Sequence, residues 1–110
     1  MLKIGEFARI CRVSTHTLRY YDSEGILCPD LIDPSTGYRY YAPEKIEDFR
    51  RIQIYKEAGF ALEEIKILLR EDPARRNALV AMKRQEIHGE VESLRVKLSL
   101  LESLDPKRER

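Results

Sequence analysis

The sequence predicts a mainly α-helical fold in which one small β-hairpin interrupts a series of helices and the last helix is too long to stand alone. Three features of the chain point to it. Two short apolar-periodic segments, hinged at residues 11–14, open the chain. Asp33-Pro34-Ser35-Thr36-Gly37 supplies turn chemistry just ahead of Tyr38, Tyr40 and Tyr41, a residue type that favours strands. Ile87, Val91, Leu94, Leu98 and Leu101 recur at spacings of four, three, four and three, the seam of a coiled coil.

The first helix is expected at about 5–10, with Ala8 small where two helices cross steeply. Val13 and Leu18 supply inward contacts from the next segment. Ser14 suits an N-cap, because its hydroxyl can accept from a free backbone N–H of the following turn. The helix it opens, at 15–23, shows Thr15, His16, Arg19 and Tyr20 outward, each able to bond a base or a phosphate, while Tyr21 packs inward one turn from Leu18. A helix with that face, placed after a tight turn from a short first helix, reads as the recognition helix of a helix-turn-helix. The hairpin follows at 31–41, with Tyr38 and Arg39 just past its tip, within reach of a phosphate backbone beside that helix. Pro43 and Glu44 suit the start of a helix at 44–58, since proline is tolerated where its missing N–H would be unpaired anyway. Gly59 suits its end. A further helix is expected at 62–71, and Asp72-Pro73 breaks the chain after it.

The long helix, at 74–104, spans roughly 45 Å at 1.5 Å per residue and needs a second helix to cover its apolar seam. Continued backward in phase, the seam meets Arg84 and Val80 and weakens, and Leu79 and Met82 lie off it. Pro106 closes the element. The expected organisation is therefore a DNA-binding domain at 1–71, a dimerisation helix at 74–105 and a polar tail at 106–110.

At 110 residues the chain has room for one compact domain and an appendage, and 43% hydrophobic residues exclude a disordered chain. No apolar run is long enough for a membrane span, and the first ten residues lack the apolar stretch of a secretory signal, so a cytoplasmic location is expected. Cys11 and Cys28 belong to no CxxC or histidine-containing cluster; they read as reduced small residues, with no metal and no cofactor implied. His16 has no second ligand within sequence reach, and His88 reads as a solvated surface residue. Glu47-Asp48 and Glu63-Glu64 are adjacent pairs that point to different helix faces, and neither a phosphate-cradling glycine loop nor a Cys/His nucleophile pair is present, so an enzyme is not expected.

The net charge of +1 says little, and across residues 1–71 there are 11 basic residues against 12 acidic ones. The distribution says more. Between Ala8 and Tyr21 stand Arg9, Arg12 and Arg19 with no acid, while acids gather at 22–33 and 44–48. A local positive face of this kind can grip phosphates with modest affinity per monomer, which makes dimerisation important.

These segments go beyond a generic helix-turn-helix. Ile4-Gly5-Glu6, Val13-Ser14, Thr17-Leu18-Arg19-Tyr20-Tyr21-Asp22, Gly25-Ile26-Leu27, Gly37-Tyr38-Arg39-Tyr40-Tyr41 and Ala58-Gly59-Phe60-Ala61-Leu62-Glu63-Glu64-Ile65 keep an order and spacing that resembles the MerR family of bacterial transcription regulators. The resemblance covers roughly the first seventy residues. It implies a winged helix-turn-helix in which the hairpin is the wing, with Arg19, Tyr20, Tyr38, Arg39 and Lys56 on backbone-contacting positions. It also implies a homodimer on a pseudo-palindromic site in double-stranded DNA, within a promoter whose spacer is overlong, distorting that DNA so that RNA polymerase can engage it. Metal-sensing members place cysteines around the dimerisation helix, and this sequence has none after Cys28; drug-sensing members carry a ligand domain after that helix. Arg12 stands in the turn where members often have Gly or Asn, a departure that costs roughly 1–2 kcal/mol if the residue is left-handed. Two other readings of the residues stay open: an architectural or excisionase-like DNA-bending protein, and a coiled-coil adaptor whose helix-turn-helix binds protein.

Overall fold

The computed structural model describes residues 1–70 and 72–104. The expected closure at Pro106 and the tail at 106–110 lie outside the described residues, as does Glu71, the expected last residue of the fourth helix. The order of elements is β1 (Leu2–Lys3), α1 (Ile4–Cys11), α2 (Thr15–Ser23), β2 (Leu31–Ile32), β3 (Arg39–Tyr41), α3 (Lys45–Glu57), α4 (Leu62–Arg70) and α5 (Pro73–Glu102). The architecture is mainly α, as the sequence predicts. Contacts divide the chain into two units, which part after Arg70.

In the first unit, three helices close with one device. The N–H two residues past the helix cap reaches back to the carbonyl five residues earlier, and the N–H before it bonds the carbonyl that follows, which together form a Schellman motif. After α2 these bonds are Ile26 to Tyr21 at 2.8 Å and Gly25 to Asp22 at 3.0 Å; after α3 they are Phe60 to Tyr55 and Gly59 to Lys56, both at 3.1 Å. The motif needs a left-handed residue at its corner, and Gly25 (φ 72°) and Gly59 (φ 97°) provide it without a steric penalty. After α1 the same bonds run from Val13 to Ala8 at 3.0 Å and from Arg12 to Arg9 at 3.3 Å, but the corner residue is Arg12, at φ 57° and ψ 48°. Arg12 is the one non-glycine residue with positive φ among the described residues.

Helix starts are also locally encoded. Ser14 Oγ accepts from the Thr17 N–H at 3.1 Å, the N-cap expected of it. Glu64 Oε1 takes the Ala61 N–H at 2.8 Å at the entry to α4. At α1, Glu6 Oε1 accepts from the Lys3 N–H at 3.3 Å.

The hairpin is joined by a strand that the sequence did not announce. The sheet order is β1-β3-β2, with Leu2 opposite Tyr41 and Lys3 opposite Tyr40 on one side, and Leu31 opposite Tyr40 and Ile32 opposite Arg39 on the other. Two residues are too few to show an alternation, so β1 exists only because β3 offers it a partner. At the tip, Asp33 Oδ1 accepts from the Ser35 N–H at 2.8 Å and from Ser35 Oγ at 2.7 Å.

The core gathers Phe7, Leu18, Tyr21, Tyr41, Phe49, Ile52, Ile65 and Leu68, each at most 2% exposed. Phe7 stacks on Tyr41 with ring centroids 4.6 Å apart and meets Phe49 edge-on at 6.5 Å. Leu18 and Tyr21 attach α2 to this cluster, and Ala8 is buried where a small residue was expected. The Tyr41 hydroxyl is buried without a hydrogen-bond partner among the described residues. Burial first, and then Asp22, push its pKa up to about 12.

In the second unit, α5 begins one residue earlier than expected, at Pro73. Asp72 caps it, accepting from the Arg75 N–H at 2.9 Å, and Pro73 sits where its missing N–H costs nothing. The helix runs for 30 residues and buries none of its own side chains. Ile87, Val91, Leu94, Leu98 and Leu101 keep 39%, 45%, 59%, 59% and 66% of their surface open.

Candidate nucleic-acid interface

Helical periodicity places residues 15, 16, 19 and 20 on one side of α2 and residues 18 and 21 on the other. The burial follows: His16, Arg19 and Tyr20 are exposed, Thr15 is half-buried, and Leu18 and Tyr21 are buried. The two adjacent tyrosines therefore separate. Tyr21 belongs to the core, and Tyr20 stands with its ring outside.

Tyr38, the first residue before β3, is exposed, and Lys3 Nζ lies 5.7 Å from the centroid of its ring, a cation–π contact that joins the start of the chain to the wing. Arg39 is half-buried, and its Nε donates to Asp22 Oδ2 at 3.3 Å. Asp22 is in the last turn of α2, so this bond ties β3 to α2.

Between the start of α1, the outer face of α2 and the wing lies a concavity of about 440 Å³ whose lining includes Lys3, Glu6, Arg9, Arg19, Tyr38 and Arg39. Four cations face one acid there. Ile4, Gly5 and Glu6, the first residues of α1, also line it, and a helix N-terminus carries the positive end of the helix dipole. Such a hollow accepts an anion whose oxygens can take several N–H donors at once, which a phosphate diester provides.

Three expected contact residues, Arg19, Tyr38 and Arg39, come together in this hollow. Thr15, His16 and Tyr20 lie on α2 outside its lining. Lys56, near the end of α3, is elsewhere: its Nζ is 3.2 Å from the Tyr21 hydroxyl and 5.6 Å from the Tyr21 ring centroid. It braces the inner side of α2 through a part-buried bond, although the residue as a whole is exposed. Lys3 was not foreseen as a site residue, because its place depends on β1 pairing with β3. Arg9 carried a sequence signal as one of three arginines in an acid-free stretch.

The neighbouring acids are occupied within the fold. Asp22 holds Arg39. Asp30 Oδ2 accepts from the Ala42 N–H at 2.7 Å, and its Oδ1 lies 3.7 Å from Lys45 Nζ. The Asp33 carboxyl, bonded by Ser35, is held below its ordinary pKa. Among the described residues Glu6 is the one acid that lines the hollow, so the near balance of acids and bases in this unit is not reproduced there.

Burial raises the Cys11 thiol pKa, and burial followed by the Asp22 hydrogen bond raises that of Cys28; both thiols stay neutral at physiological pH. Among the described residues no group of three or more His, Cys, Asp or Glu is placed to hold a metal. None of the described helices is long and apolar enough to cross a membrane.

Residues 2–72 match the family model described as MerR HTH family regulatory protein. The chain is 44% identical over 79 residues to the transcriptional regulator BrlR of Pseudomonas aeruginosa; the match takes in 68% of this chain and 29% of that protein. Its fold is similar to the N-terminus of MtaN, the Bacillus subtilis multidrug transporter activator, with a TM-score of 0.78 at 26% identity, over 94% of this chain and 96% of that one. It is also similar to the regulator in the cryo-EM structure of the EcmrR–DNA complex in EcmrR-RPo, with a TM-score of 0.74 at 32% identity, over 92% of this chain and 37% of that one.

Proposed function

Because the chain belongs to the MerR HTH family of regulatory proteins, we propose that it binds duplex DNA sequence-specifically as a homodimer and regulates transcription. The hollow shared by α1, α2 and the wing is the observation that supports this reading most. It offers converging N–H donors at the edge of a helix whose first turn is free to enter the major groove. In this proposal Thr15 and His16 face base edges. Arg19, Tyr20, Tyr38, Arg39 and Lys56, with Lys3 and Arg9, hold phosphates, which position the protein without carrying sequence information.

Residues 1–71 serve as the DNA-binding domain in this reading and 74–105 as the dimerisation helix, through Ile87, Val91, Leu94, Leu98 and Leu101. Two such units fixed by a stiff helix pair grip both halves of a pseudo-palindrome. They can bend and untwist the DNA between them at a deformation cost of ~1–6 kcal/mol. The distortion brings promoter elements into register for RNA polymerase, the step that separates this reading from a purely architectural DNA-bending protein.

The test separates grip from reading. A preferred duplex is selected from a randomised pool with the wild-type protein, and binding is measured on it and on a scrambled duplex across a salt series. Arg19→Ala weakens both duplexes alike and flattens the slope of log affinity against log salt by about 0.9 for each phosphate no longer neutralised. His16→Ala instead changes the preferred sequence, by about 1–3 kcal/mol per altered base pair, and leaves the slope unchanged. A wild-type protein with no salt-dependent duplex binding refutes the proposal.

A further inference from the structure

We infer that Asp22 is a positioning residue for DNA binding: it fixes Arg39 so that one guanidinium joins the recognition helix to the wing and presents its remaining donors to a phosphate. This rests on the DNA-binding reading above and assigns a role to an acid that lies in the region of a proposed phosphate contact.

The geometry is specific. Asp22 lies in the last turn of the recognition helix and Arg39 begins β3, 17 residues later, and their bond runs from Nε to Oδ2 at 3.3 Å. The side chains of Arg39 and Asp22 are 33% and 22% exposed, so the pair is partly shielded while the arginine keeps a third of its side-chain surface open. Among the described residues the guanidinium's other nitrogens have no partner, and Arg39 lines the hollow beside Arg19 and Tyr38. A guanidinium carries donors on three nitrogens in one rigid plane, so it can bond a carboxylate through one edge and a phosphate through another. A lysine has one nitrogen and cannot hold both in that planar geometry.

A carboxylate near a phosphate site has an obvious opposite effect, repulsion, and the two roles differ in sign. If Asp22 only repels DNA, its neutralisation tightens binding and steepens the salt slope. If it only stabilises the fold, its loss weakens binding with the slope unchanged. If it positions Arg39, Asp22→Asn weakens binding and flattens the slope together, by the same amount as Arg39→Gln, and the double variant adds nothing further.

The experiment measures affinity for the selected duplex across a salt series with wild type, Asp22→Asn, Arg39→Gln, the double variant and Arg39→Lys. Thermal unfolding of each variant establishes that it is folded. Releasing one phosphate per protomer flattens the slope by about 1.8 for a dimer, and Asp22→Asn and Arg39→Gln are expected to coincide there. Arg39→Lys, which leaves Asp22 and the charge intact, is expected to show most of that flattening, and it carries the test alone if Asp22→Asn does not fold. Tighter binding by Asp22→Asn, an unchanged slope, or a fully active Arg39→Lys each overturns the inference. A wild-type protein that binds no duplex refutes the DNA-binding reading instead, so the two failures are distinguishable.

Discussion

Substituting Leu94 on α5 with Asp tests whether the helix is covered by a second copy. Full burial of a leucine contributes about 1.5–3 kcal/mol. Leu94 still has 59% of its surface open on the isolated helix, so covering the remainder adds about 1–2 kcal/mol. In a homodimer the loss occurs in both copies, about 2–4 kcal/mol in total, which weakens the dimer roughly 30- to 700-fold. Sedimentation equilibrium from nanomolar to high micromolar concentration reads this directly. Ser99→Asp, which adds the same charge one residue beyond Leu98 and off the seam, serves as the control and is expected to associate like wild type. Leu98→Asp, equally exposed, should behave like Leu94→Asp. A wild-type protein that is monomeric at micromolar concentration refutes the seam. So does a Leu94→Asp protein whose association constant matches that of Ser99→Asp.

Tyr41→Phe is expected to change stability at pH 7 by less than about 1 kcal/mol, because the buried hydroxyl has no partner to lose among the described residues and the stack on Phe7 is kept. With the folded pKa raised to about 12, the unfolded chain releases that proton first. The stability this tyrosine contributes is therefore intact below pH 10 and declines by about 1.4 kcal/mol per unit between 10 and 12. Tyr41→Phe should flatten that part of the denaturation profile, and parallel profiles for the two proteins would refute the assignment. Arg12→Gly should raise the melting temperature, since relief of a left-handed non-glycine residue is worth ~1–2 kcal/mol less the greater freedom of glycine in the unfolded chain. A lower melting temperature would mean that the Arg12 side chain contributes more than its backbone strain costs.

Features that depend on near neighbours along the chain are legible in the order of the amino acids. Ser14 as a cap, the division of α2 into an outer face of His16, Arg19 and Tyr20 and an inner face of Leu18 and Tyr21, Gly59 as a helix end, and the apolar row of α5 all repeat over one or two turns. They are legible because backbone hydrogen bonds and side-chain faces are set within that distance. The left-handed turn at Arg12 was legible as a question, and the structure answered it through bonds to Ala8 and Arg9. Which side chains meet depends on the packed fold. Strand β1 is two residues long and has no pattern of its own, so Lys3 reaches the wing only because Tyr40 and Tyr41 pair with it. The bond between Asp22 and Arg39 spans 17 residues, and the contact of Lys56 with Tyr21 spans 35. Such pairs leave no periodic trace. Their partners are chosen by how α2, α3 and β3 close on the Phe7–Tyr41–Phe49 cluster, and that closure reflects the shape of the whole core.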